Sequence, residues 1–95
     1  MNAIPTRVTV GTRHYWIHQK PRKNGLHGRI YLGTRAIVIH NHEEKAVDRN
    51  TFWHELTHAI LHEMGNKLGR NEAFVTEFAD KLSGAIDSAR FDKNV

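Results

Sequence analysis

The densest run of chemistry-bearing side chains in this sequence is His54-Glu55-Leu56-Thr57-His58. Histidines four positions apart project from one face of a helix, one turn apart. At that spacing two imidazole nitrogens reach a single metal ion at about 2.0–2.1 Å. Glu55 follows the first histidine and points to the side, where it meets a water on the metal rather than the metal itself. Two ligands and a general base in this order are the working parts of zinc-dependent peptide hydrolysis. In that chemistry Glu55 takes a proton from the attacking water and returns it to the leaving amine.

Such a pair acts only if a helix carries it and a core holds the helix. Asn50 or Thr51 can cap a helix with its body at Phe52–Met64, and Gly65 sits where a C′ glycine ends it. Phe52, Leu56, Ala59, Ile60 and Met64 are expected to bury the face opposite the two histidines. Asn71 can cap a second helix reaching about Ser88, with Phe74, Val75, Phe78, Ala79, Leu82, Ala85 and Ile86 as its buried face. Upstream, Arg7–Val10, His14–His18, Gly28–Leu32 and Ala36–Ile39 read as strands separated by glycine-containing turns. The continuous apolar Ile37-Val38-Ile39 predicts a strand covered on both faces. Lys20–His27 reads as a loop and Arg90–Val95 as a frayed tail. Together these elements predict one α+β domain over residues 1–95: a small antiparallel sheet of three to four strands against two helices.

Composition narrows the chemistry. The chain has 95 residues, eight of them histidine and none cysteine. A disulfide scaffold, a Cys-ligated zinc finger and a thiol nucleophile are thereby excluded. No apolar run is long enough to span a bilayer, and no signal peptide is visible, so no membrane partner and a cytoplasmic location are expected. The net charge of +4 is unevenly spread: residues 1–50 hold nine basic and three acidic side chains (+6), residues 51–95 five and seven (−2). No acid precedes Glu43. A basic half of this kind attracts nucleic acid or an acidic partner, with Arg22, Lys23 and Arg29 as phosphate contacts and Tyr15, Trp16 and Tyr31 as candidate stacking rings.

The stretch His54-Glu55-Leu56-Thr57-His58-Ala59 resembles the active-site helix of thermolysin-like gluzincins. The wider layout, from Ile37 to Ile86, resembles the short bacterial and phage ImmA/IrrE-like HExxH proteins. The resemblance implies a zincin core, one Zn²⁺, Glu55 as base, a protein or peptide substrate, and a glutamate from the following helix as third ligand. Glu72 and Glu77 are the candidates for that glutamate, with His62 or Asp80 behind them. Asn71-Glu72-Ala73 resembles the gluzincin ligand segment, and helical rotation puts Glu72 at the border of the apolar face. Antiparallel helix pairing about Leu68 instead sets Glu77 opposite His58. His40 and His42 are candidates to stabilise an oxyanion, and Ala36–Ile39 is the candidate edge strand for a bound peptide. Two rival readings keep the metal but not the turnover: a zincin-fold binding module, and a nucleic-acid binder with a structural metal.

Overall fold

The computed structural model describes residues 4–92, and Lys93–Val95 of the expected tail lie outside them. Four strands form one sheet: β1 (Arg7–Val10), β2 (Arg13–Lys20), β3 (Gly28–Tyr31) and β4 (Ala36–His40). Helix α1 (Lys45–Glu63) follows, then a 3-10 turn (Lys67–Arg70), then helix α2 (Glu72–Ser88). The class is the expected α+β. The sheet, however, is mixed rather than wholly antiparallel, with strand order β1-β2-β4-β3. β1–β2 and β3–β4 are antiparallel hairpins, but β2 and β4 run parallel, Ile17 opposite Ile37. The long loop after Lys20 brings β3 back outside β4, and that swap creates the parallel pair.

Alternation decides which sheet face is covered. Tyr15, Ile17, Ile37 and Ile39 point inward and, with Phe52 and Ala59 of α1, make the core. Ile37 and Ile39 are fully buried while Val38 between them is only partly so, hence β4 is covered on one face, not two. The buried positions of α1 include Asp48, Phe52, Glu55 and Ala59, a stripe at helical spacing. Ile60 and Met64 sit one position round from that stripe and are exposed, contrary to expectation. On α2 the buried positions are Val75, Ala79 and Ser83. These small side chains face α1, and Phe78 and Ala85, expected on the buried face, are exposed instead.

Helix α1 starts well before the expected cap at Asn50 or Thr51. Asp48, 1% exposed, accepts the His42 N–H at 2.7 Å and the Asn41 side-chain amide at 3.2 Å. A carboxylate in the first turn is also favoured by the helix dipole. This one buried acid joins the end of β4 to α1 and lets the helix begin at Lys45. At the other end Gly65, with φ +66°, terminates it as expected. Asn71 caps α2 by accepting the Phe74 N–H at 3.0 Å. Among the described residues no helix is long and apolar enough to cross a membrane.

The C-terminal end of α1 is pinned to the sheet by Tyr15, whose hydroxyl donates to Glu63 at 2.5 Å. Burial, reinforced by the Glu63 carboxylate, pushes the Tyr15 hydroxyl up to about 12. A phenol raised in the fold stabilises it fully below the unfolded value of 10.0 and loses that contribution as pH climbs toward 12. Thermal melts of wild type and Tyr15→Phe are therefore expected to differ by a constant gap up to pH 10.0, narrowing between 10.0 and 12. A gap that does not change over that window removes the Tyr15–Glu63 bond as its source.

Candidate metal centre

Helix α1 carries His54 and His58 on one face, their rings 5.0 Å apart edge to face. The 3-10 turn reverses the chain so that the first residue of α2, Glu72, faces this pair. Glu72 Oε1 lies 2.6 Å from His54 Nε2 and 3.0 Å from His58 Nε2. The three ligand atoms all fall within 4.8 Å of one another, the one such His/Cys/Asp/Glu group among the described residues. On the opposite side of its ring, His58 Nδ1 is 2.7 Å from the Gly69 carbonyl oxygen. A carbonyl only accepts, so Nδ1 carries the proton and Nε2 of the neutral ring turns its lone pair toward Glu72. With His54 in the same tautomer, three electron-pair donors would meet at one point, an arrangement that could hold a metal ion. Burial works upward on Glu72, but its contacts with His58 and His54 outweigh it and hold its carboxyl below the ordinary value. Two imidazoles and one carboxylate fit a catalytic zinc ion, which keeps a fourth position open.

Glu55 is 7% exposed and accepts no hydrogen bond from a described residue. It lies on the buried stripe of α1, yet its carboxylate opens into a cleft. Burial raises its pKa, against the pull of His54 and His58. The cleft is about 220 Å³ and is lined by His27, Gly28, Asn50, Thr51, His54 and Glu55. A second, larger cavity of about 450 Å³ opens on the other side of the histidine pair, where His58, His62 and Leu32 form part of its wall. His54 thus lines the first cavity and His58 the second.

The remaining expected site residues are dispersed. Glu77 is exposed on α2 and is not part of the ligand group. Glu72 reaches the histidines because the 3-10 turn is short enough to bring the first turn of α2, not its second, over His58. Asp80 accepts from Asn50 at 2.9 Å and ties the helices together. His62 is exposed at the mouth of the larger cavity. His40 and His42 line a different pocket beside Arg22 and Lys23, which shares His27 with the cleft at Glu55.

The expected edge strand is also revised. β4 is hydrogen-bonded on both sides and has no free edge. β3 is the edge that borders Glu55. His40 N–H donates to the His27 carbonyl at 2.8 Å, so in this register Gly28 and Ile30 turn their own N–H and C=O groups outward. Sequence reasoning missed His27 and Gly28. The only signal was a glycine opening a strand, which marks a close backbone approach.

A model of the peptidase family described as IrrE N-terminal-like domain matches residues 7–86. No curated protein and no solved structure matches the chain.

Gly28 lets β3 lie against α1 at the site. A Cβ there would stand 2.5 Å from Thr51 Cγ2 and 3.0 Å from the Val38 carbonyl oxygen. Gly28→Ala is expected to lower stability by about 1–3 kcal/mol through overpacking. Thr51→Ser deletes the clashing methyl while keeping the hydroxyl that donates to Val47 O. In chemical denaturation the double variant is expected to recover most of the loss; simple additivity would rule out this contact.

Proposed function

The chain belongs to the IrrE N-terminal-like domain family of peptidases, and we propose that it is a zinc-dependent peptidase in which His54, His58 and Glu72 hold the metal and Glu55 is the general base. The observation that carries this reading is the convergence of three unlike-sequence donors on one point with a buried carboxylate beside them. What the metal supplies when bound is Lewis acidity toward a water and toward the scissile carbonyl.

The chain's own residues do the rest. The Gly69 carbonyl fixes the His58 tautomer and ring orientation, the usual task of a group behind a metal-binding imidazole. Glu55 sits where desolvation favours its protonated form, which suits a group that must both take a proton and give it back. It receives the proton of the attacking water and delivers it to the amine nitrogen as the peptide bond breaks. The outward N–H and C=O groups of Gly28 and Ile30 on β3 offer a peptide a strand to pair with, directly above Glu55. The cavities on either side of the histidine pair then receive side chains flanking the cut bond. A chain of this kind acts on protein or peptide, and its location in the cell is proposed to be cytoplasmic.

Metal analysis and a peptide-cleavage assay test the reading together. Purified protein is expected to carry one zinc per chain. His54→Ala and Glu72→Ala should fall well below that, whereas Glu77→Ala should keep it. Glu55→Gln should retain zinc and lose cleavage by about a hundred-fold or more. Zinc-free wild type would overturn the site. Fully loaded but inactive wild type would favour a binding module over a peptidase.

A further inference from the structure

Helix α1 packs on one face of the sheet and α2 packs on α1, and among the described residues no element covers the other face. Strand alternation assigns that open face Arg7, His14, Trp16, His18, Arg29 and Tyr31, with Lys20, Val38 and His40 along it. None of the four strands contains an Asp or Glu. Register places Arg7, Trp16, Ala36 and Tyr31 in one row across all four strands. Ala36 has almost no side chain, so the two rings stand on either side of a gap about 10 Å wide, two strand spacings.

Both rings are unusually accessible for their size. Trp16 is 49% exposed and Tyr31 46%. Each has a guanidinium against it: Arg7 at 5.7 Å from the Trp16 ring centre and Arg29 at 5.6 Å from that of Tyr31. Neither arginine has an acidic partner among the described residues, unlike Arg22, Arg35 and Arg49. The row therefore repeats one unit twice: a flat ring for stacking and a free cation beside it.

We propose that this open sheet face binds single-stranded nucleic acid, with bases stacked on Trp16 and Tyr31 and phosphates held by Arg7 and Arg29. Stacking on exposed aromatics within a positive field is how single strands are held without reading sequence. A four-stranded sheet with aromatics on its free face is a known geometry for it. An acidic protein would use the same cations but has no need of two rings in register, and a duplex hides its base faces from them. The surface lies on the opposite side of the sheet from Glu55, so this inference stands independently of the peptidase reading.

Fluorescence anisotropy with labelled oligothymidylate and oligouridylate, at low and raised salt, tests it on the full chain. Binding is expected to weaken steeply with salt. Trp16→Ala and Tyr31→Ala should each cost roughly ten-fold in affinity, with Trp16→Phe retaining most of it. Arg7→Ala combined with Arg29→Ala should flatten the salt dependence. Unchanged melting of these surface variants separates lost contact from lost fold, and unchanged zinc content separates this face from the metal centre. No binding at low salt overturns the proposal. So does equal affinity for duplex DNA or polyglutamate, or equal affinity of the Trp16→Ala and wild-type proteins.

Discussion

The structure turns on one crowded point, where two imidazole nitrogens and a carboxylate oxygen converge on the same small volume. Without a cation such an arrangement is repulsive, and with one it becomes a joint. The joint matters here because α2 packs on α1 and the 3-10 turn but not on the sheet. Its buried side chains are Val75, Ala79 and Ser83, which remove only modest apolar area from water. Beyond them, it is held to α1 by Asn50–Asp80 and by Arg49, which donates to both oxygens of Asp87. Glu72 adds the third tie, at the end where α2 begins. A metal bound there would therefore be coupled to the docking of α2.

The same point separates the roles of two carboxylates. Glu72 faces both histidines, and its contacts with them hold its carboxyl below the ordinary value, which suits a ligand. Glu55 is one residue away from His54 in sequence, but helical rotation carries it onto the buried stripe. There desolvation outweighs the same two histidines and favours the protonated form. Environment, not residue type, suits one to the proposed ligand role and the other to that of proton carrier.

How much of this could be read in the sequence follows from how local each feature is. The pairing of His54 with His58 depends only on helix pitch, so it was fully legible. The Asn71 cap and the Gly65 terminus are equally local, and both appear as expected. Choosing Glu72 over Glu77 was not local. It depends on the 3-10 geometry of Lys67–Arg70, a segment whose composition reads only as a connection. The sheet order was further out of reach. Hairpin turns announce β1–β2 and β3–β4, but nothing in residues 20–27 announces that β3 will close outside β4 and force a parallel pair. The start of α1 was misjudged because Asp48 looks like a solvated acid. Its partners, His42 N–H and the Asn41 amide, exist only once the chain has turned.

The mixed sheet order has a functional consequence that an antiparallel meander would lack. By placing β3 at the edge, it brings the outward backbone of Gly28 and Ile30 beside Glu55 and leaves β4 to anchor the core. The cost is a glycine: at that crossing, α1 and β3 approach so closely that even a methyl group collides with Thr51. One sheet thus has three surfaces with separate demands. The inner face must be apolar to hold α1, and Tyr15, Ile17, Ile37 and Ile39 meet that need. The edge must keep its hydrogen-bonding groups free. The outer face has neither duty, so its composition is under no packing constraint, and a row of exposed rings and unpaired arginines there is not explained by folding. Burying Trp16 would have stabilised a small domain; leaving it half exposed is a cost that the proposed binding surface would account for.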